Sequence, residues 1–339
     1  MAPASSHVTV KSTALDFRHL RGAPEEFSTF CFNFVDRLQV EGYVAVENHP
    51  WTGNKVGGLF EISQKFFNLP DEIKKHAGRR KGQEGNRGWA YVGEENVSAI
   101  TGFAAGVLSE QNLEDLKETF DMGKVDDSEL ANLWPYQADL PGFRHLMETA
   151  FESGHHILLQ LLRALAVGLG LSEDAFTKQH NCRHHEFRLL HYPAVPASAL
   201  KSGESARISS HTDFGTMSFL FQDDVGGLEG ESLREEGNYL PLRTERKDVM
   251  IVILGDMMMR QTNGILRALP HRVTLPSTAS INAEGEEWAP ERFAIAFFGK
   301  PDRDVWLEPM QAFVDESNPA RYDGVAAGDY DRSKLLRLY

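Results

Sequence analysis

The sequence predicts an α+β fold, a jelly roll or β-sandwich backed by helices. Helical periodicity dominates the first half, short strands divided by turns fill the chain from Arg183 on, and the two never alternate as βαβ units. A first helix begins at Ala23-Pro24-Glu25-Glu26, with proline and acids in its opening turn and Phe27, Phe30, Phe34 and Leu38 at helical spacing. Tyr43 to Val46 reads as a strand, Asn54 to Phe67 as a helix, and Gly142 to Leu171 as a long helix carrying an apolar stripe from Leu146 to Leu165. The tract Gly78 to Gly93 lacks periodicity and reads as a loop able to cover a pocket. Strands are expected at Glu186–Tyr192, Thr216–Gln222, Val249–Leu254, Met257–Thr262, Ile265–Ala268, Arg272–Leu275 and Arg292–Phe298. Asn263-Gly264 should join two of them as a type I′ hairpin turn. Residues 1–181 are thus expected to form a mainly helical region with a short strand, 182–315 a jelly-roll core and 316–339 a helical tail, acting as one functional unit.

Composition narrows the partners. Across 339 residues, 35 Lys+Arg against 49 Asp+Glu leave a net charge of −14, which repels nucleic-acid backbones and anionic membrane surfaces. A small-molecule partner is expected, with no nucleic acid and no membrane. The two cysteines, Cys31 and Cys182, are too few for a disulfide framework, although one bridge is conceivable, and no stretch is long and apolar enough to span a bilayer. A cytoplasmic location is the expectation. Neither GxGxxG nor GxxxxGK[ST] occurs, which disfavours a nucleotide-cofactor fold.

The chemistry concentrates in Ser209-Ser210-His211-Thr212-Asp213-Phe214-Gly215-Thr216. On extended chain, residues two apart leave the same face, so His211 and Asp213 can converge on one point. They would form two-thirds of a 2-His-1-carboxylate triad, the open-sided ligand set of non-haem Fe(II). An isolated HxD pair is commonplace, and a third ligand is required. His271 is the best candidate, since Leu269-Pro270-His271-Arg272-Val273 enters a strand after the expected hairpin. His155-His156 diverge by about 100 degrees on a helix, and His184 and His185 should point to opposite faces of a strand. No HExxH or CxxC supports zinc. Arg292 opens an apolar strand, where a guanidinium suits a carboxylate ligand, and Tyr192, ending another strand before Pro193, can donate its hydroxyl to the same group.

Together these residues resemble the isopenicillin N synthase-like family of Fe(II)- and 2-oxoglutarate-dependent dioxygenases over nearly the whole chain. The resemblance rests on Glu41 to His49, Phe66-Phe67-Asn68-Leu69-Pro70, Arg87-Gly88-Trp89 and Asp115 to Asp121 in the first half. It continues through Arg188 to Pro193, His211-Thr212-Asp213, Gly226-Gly227-Leu228, Gly255-Asp256, Thr262-Asn263-Gly264 and His271-Arg272-Val273, in the family's order. It implies a double-stranded β-helix of the jelly-roll, cupin-like kind, with iron at His211, Asp213 and His271 and 2-oxoglutarate held by Arg292 and Tyr192. It also implies use of O2, release of succinate and CO2, and hydroxylation, desaturation or ring rearrangement of a small organic substrate of secondary metabolism. Arg188 is then a candidate anion contact for that substrate, with a structural salt bridge as its other reading.

Two positions depart from the family pattern. Its RxS motif reads Arg292-Phe293-Ala294 here, and Leu190 stands where many plant members carry asparagine. A lost hydrogen bond to a charged group is worth roughly 1.5–3 kcal/mol, so 2-oxoglutarate binding should weaken but persist through the arginine. Two rivals follow: an iron oxidase drawing all its electrons from the substrate, as isopenicillin N synthase does, and a ligand-binding member without turnover. The oligomeric state is left open by the sequence.

Overall fold

The computed structural model describes residues 13–80, 85–98, 114–202 and 205–338. Two sheets face each other. The larger has eight strands in the spatial order Leu15–Asp16, Tyr43–Glu47, Met250–Leu254, Met217–Gln222, Arg292–Gly299, Glu186–Tyr192, Glu118–Met122 and Gly88–Ala90. The smaller orders Tyr239–Pro241, Leu228–Glu231, His271–Val273 and Ile208–His211. Apart from the parallel contact of Leu15–Asp16 with Tyr43–Glu47, neighbours in both sheets run antiparallel. The β-sandwich of a jelly roll results, and four strands of its larger sheet come from before residue 182.

Helices cover the outer face of the large sheet. Pro24–Val40 starts with proline in its first turn, and the Glu26 carboxylate accepts the Ala23 N–H at 2.9 Å, a donor that the helix leaves unpaired. Its buried face of Phe30, Phe34 and Leu38 packs on the long helix Phe143–Gly168. Trp51, just before the helix Gly53–Phe67, meets Phe187, Phe221 and Phe297 of the large sheet at ring-centroid separations of 5.4 to 6.4 Å, and Phe151 of the long helix reaches Phe297 at 5.8 Å, which joins sheet to helices. The two cysteines are free, Cys31 buried and Cys182 exposed, so no bridge forms.

The expected hairpin at Asn263-Gly264 is a helix end instead. Asp256–Gln261 is helical, and no strand forms over 265–268. Asn263 (φ 51°) and Gly264 (φ 80°) do take positive φ, but Gly264 N–H donates to Met259 O at 2.9 Å and Asn263 N–H to Arg260 O at 3.1 Å, the paired bonds that close a Schellman cap. A turn of two left-handed residues serves either purpose. Here the Asn263 side chain decides, donating to the carbonyls of Phe313, Asn318 and Pro319 and accepting from Arg321 N–H, which ties the tail to the core. His184 and His185 also lie outside any strand, His185 fully buried.

Candidate active site

His211 and His271 are direct cross-strand partners at one end of the small sheet, their ring centroids 4.3 Å apart. Asp213 follows where the chain turns toward the large sheet. Each imidazole Nε2 stands 3.9 Å from Asp213 Oδ1, and one ligand atom from each residue lies within 4.8 Å of the others. Both rings are held from behind. His211 Nδ1 meets Ser209 O at 2.9 Å and His271 Nδ1 meets Leu269 O at 3.0 Å. A carbonyl only accepts, so Nδ1 carries the proton and the Nε2 lone pair faces the common point. Burial, followed by the neighbouring His271, pushes His211 well below the ordinary histidine range, which keeps it neutral. Asp213 Oδ2 is buried without a hydrogen-bond partner. Two imidazoles and a carboxylate converging with unspent lone pairs fit a divalent first-row ion.

The turn carrying Asp213 is clamped by Gly255-Asp256. Asp256 N–H donates to Asp213 O at 2.8 Å and Met257 N–H to Gly215 O at 3.1 Å. A Cβ on Gly255 would stand 2.5 Å from Gly215 O and 2.8 Å from Asp213 O, so only glycine permits this approach. Asp256 in turn accepts Tyr330 Oη–H at 2.9 Å and pairs with Lys334 at 3.1 Å, docking the C-terminal helix on the same turn.

Arg292 and Tyr192 are direct partners on adjacent strands of the large sheet, and the guanidinium carbon lies 4.8 Å from the tyrosine ring centre. Arg292 is 1% exposed. Its Nε donates to Gly226 O at 3.0 Å and its Nη2 to Gln222 Oε1 at 3.2 Å, while Nη1 has no partner. The next inward pair on the same two strands is Ala294 opposite Leu190. The two departures from the family pattern therefore touch one another, and together they make an apolar patch in which neither needs a hydrogen bond. One cavity between the sheets is lined by His211, Asp213 and His271 as well as by Tyr192, Arg292 and Ala294.

Arg188 lines the same cavity, yet its charge is spent. Its Nε donates to Asp121 at 2.6 Å, and its Nη1 and Nη2 donate to the two oxygens of Glu95 at 3.1 and 2.8 Å. Lys117 adds contacts of 2.9 Å to Glu95 and 3.1 Å to Asp115. Burial, with Glu95 adding to it, raises Asp121 to about 6 despite the opposing pull of Arg188. Among the wall residues that escaped the sequence reading are Gln222, Asn86 and Leu338. Gln222 ends an expected strand two residues after the inward Leu220, so strand periodicity could have found it. Asn86 lies in the tract expected to cover a pocket, of which residues 81–84 fall outside the described residues. Leu338 was out of reach, because it is brought in by the tail, where its carbonyl accepts Asn96 N–H at 2.8 Å.

Sequence comparison agrees with this geometry. Residues 183–301 match the 2OG-Fe(II) oxygenase superfamily, and residues 14–137 match the family described as "non-haem dioxygenase in morphine synthesis N-terminal". The 2-oxoglutarate-dependent dioxygenase frbA of Dothideomycetidae sp. is 39% identical over 328 residues, covering 96% of this chain and 96% of that protein. Proline hydroxylase buaE of Petromyces alliaceus is 38% identical over 321 residues, covering 94% and 97%. Among solved structures, full-length Neurospora crassa T7H in complex with alpha-KG and thymine superposes with a TM-score of 0.83 at 28% identity, covering 96% of each chain. The chain belongs to the 2OG-Fe(II) oxygenase superfamily. It is a 2-oxoglutarate-dependent dioxygenase with a jelly-roll core, and it uses Fe(II), 2-oxoglutarate and O2. The rivals that draw electrons from the substrate alone, or bind without turnover, find no support among these relatives. Among the described residues no helix is long and apolar enough to cross a membrane.

Proposed function

We propose that His211, Asp213 and His271 hold the Fe(II), that Arg292 with Tyr192 receives the distal carboxylate of 2-oxoglutarate, and that a small organic molecule is oxidised in the cavity between the sheets. The observation that carries this reading is the pattern of unspent polar atoms in one buried cavity: two Nε2 lone pairs and Asp213 Oδ2 at one end, and Arg292 Nη1 at the other. Iron bound there supplies the O2 chemistry that couples decarboxylation of 2-oxoglutarate to substrate oxidation by hydroxylation, desaturation or ring rearrangement. The protein's own contribution is placement. Ser209 O and Leu269 O fix the imidazole tautomers, Gly255 fixes the Asp213 turn, and Gln222 and Gly226 O aim the guanidinium. Arg188, neutralised by Glu95 and Asp121, shapes the substrate wall and leaves no charge to spare for a substrate anion. The names proline hydroxylase and thymine complex among the relatives support a small polar substrate, within a secondary-metabolic role.

Anaerobic titration tests the assignment. Adding 2-oxoglutarate to the Fe(II)-loaded protein should produce a visible charge-transfer band, and admitting air with substrate should release succinate. Arg292→Ala should lose the band at 2-oxoglutarate concentrations that saturate the wild type. A band that forms equally well in Arg292→Ala places the distal carboxylate elsewhere and overturns that part of the reading.

A further inference from the structure

Arg292 is not the only guanidinium buried against Tyr192. Arg207, just before the Ile208–His211 strand, is 0% exposed, and its guanidinium carbon lies 5.9 Å from the same tyrosine ring centre. Arg207 Nη2 donates to Pro290 O, while Nε and Nη1 have no partner. The nearby Asp223 offers little compensation, since its oxygens accept Val225 N–H at 3.0 Å and Phe293 N–H at 2.6 Å. Among the described residues, neither Arg207 nor Arg292 forms an ion pair, and burial, with the neighbouring Arg292 adding to it, weakens the hold of Arg207 on its proton.

Two unpaired cations side by side in a protein interior are costly, and proteins that retain such groups pair them with an anion. The contrast with Arg188, which lines the cavity and holds two carboxylates, shows that this chain can supply acids to a buried arginine and does not do so here. The anion must come from outside. 2-Oxoglutarate carries two carboxylates, one of them free to lie against Arg292 when the other is at the metal. Ala294 removes the hydroxyl that would otherwise help it.

We infer that Arg207 is a positioning residue for 2-oxoglutarate: it holds Tyr192 against Arg292 and adds a second positive charge behind the distal-carboxylate site. The inference rests on the reading above, in which Arg292 receives that carboxylate. Charge acting through a low-dielectric wall needs no direct contact, so the ligand property Arg207 reads is the distal negative charge.

The test compares 2-oxoglutarate with 2-oxopentanoate, which has the same chain length and a methyl group in place of the distal carboxylate. Each is titrated anaerobically into the Fe(II)-loaded wild type, Arg207→Gln and Arg207→Lys. Arg207→Gln keeps a donor for Pro290 O and removes the charge. It should bind 2-oxoglutarate at least tenfold more weakly and 2-oxopentanoate within twofold of wild type, and Arg207→Lys should bind 2-oxoglutarate within threefold of wild type. Parallel loss of both acids in Arg207→Gln, or loss of neither, overturns the inference. If Arg207→Gln does not fold, Arg207→Lys decides alone, and a loss greater than threefold overturns it. A wild type that does not prefer 2-oxoglutarate over 2-oxopentanoate overturns the Arg292 assignment itself; a wild type that discriminates, with Arg207→Gln discriminating equally, overturns only the role of Arg207.

Discussion

Two groups of histidines in this molecule use their ring nitrogens in opposite ways. Behind the large sheet, His155, His180 and His185 bond inward to the protein. Lys300 N–H donates to His185 Nδ1 at 3.1 Å, which leaves Nε2–H to meet His155 Nδ1 at 3.0 Å, and His180 spans Phe176 O and Thr216 Oγ1 at 2.9 and 3.0 Å. At the small sheet, His211 and His271 each spend Nδ1 on a carbonyl two residues back and leave Nε2 facing Asp213. The arginines divide likewise, Arg188 paired twice and Arg292 and Arg207 not at all. Burial alone therefore does not mark a site. What marks it is that several buried polar atoms whose partners the chain withholds, Asp213 Oδ2 and Arg292 Nη1 among them, face one cavity, because each such atom costs about 1–3 kcal/mol unless a ligand satisfies it.

The largest expected effect lies on the withheld side. Asp213→Ala should lower Fe(II) affinity by more than the roughly 10–100-fold that losing an outer hydrogen-bond partner of a ligand costs, and should abolish succinate release. The fold should survive, because Asp213 Oδ2 bonds to nothing and its backbone carbonyl still accepts from Asp256. Metal titration and circular dichroism would check both halves. On the satisfied side the expectation reverses. Arg188→Ala leaves the buried Asp121 without its cation and Glu95 with Lys117 alone, and should cost about 3–5 kcal/mol of unfolding free energy. Fe(II) affinity measured on the folded fraction should stay within a few-fold of wild type. Loss of metal binding without loss of stability would erase the distinction between the two regions.

How much of this was legible in the sequence follows the same division. The convergence of His211, Asp213 and His271 was readable because HxD on extended chain and a histidine entering a strand are local patterns, and Glu186–Tyr192 and Arg292–Gly299 announced themselves by apolar, β-branched and aromatic runs bounded by turns. Glu118–Met122 was missed as a strand because it buries Glu118, Thr119 and Asp121, residues that look solvent-facing until Lys74, His191 and Arg188 are brought across from elsewhere. Asp256–Gln261 was misread because an apolar Met run before Asn-Gly fits a hairpin as well as a capped helix, and the deciding contacts come from residues 313–321. Arg207 shares strand parity with His211, the one local hint of its place, and its meaning depends on Tyr192 and Arg292, remote in the chain.

The satisfied histidines should also show in the pH dependence of stability. Burial, ahead of all other influences, holds His180 down to about 4 against an ordinary 6.5, and His155 is likewise near 4. In the unfolded chain these groups take up protons as the pH falls through 6.5, whereas the folded chain resists until about 4. Their contribution is therefore fully present above pH 6.5 and is lost between 6.5 and 4. For the fully buried His180 the difference is worth about 3 kcal/mol. Asp121, raised to about 6, gains a proton on folding and opposes the trend over the same range. The comparison of wild type with His180→Gln isolates the histidine. Urea unfolding at pH 7 and pH 4.5 should show wild type losing stability relative to the variant, and parallel curves would break the account of this cluster.

The smallest effect tests the boundary between the two regions, at Ala294. This residue lies between Arg292, whose Nη1 waits for a partner, and the apolar contact with Leu190 across the strand pair. A serine there has two possible fates. Its hydroxyl can reach the distal carboxylate and add one charge-assisted hydrogen bond, or it can sit against Leu190 as a new unpaired group. With ligand absent only the second is open, so Ala294→Ser should destabilise the ligand-free protein by about 1 kcal/mol. With 2-oxoglutarate present the hydroxyl is satisfied, and affinity should rise by no more than the roughly tenfold that about 1.4 kcal/mol represents. The thermal midpoint should therefore fall without 2-oxoglutarate and recover at saturation. The double variant Leu190→Asn/Ala294→Ser should remove the ligand-free penalty, since the amide and hydroxyl can then bond to each other across the register. If Ala294→Ser instead raises affinity by far more than tenfold, the guanidiniums of Arg292 and Arg207 are not the main hold on the carboxylate, and the charge withheld from them serves another anion.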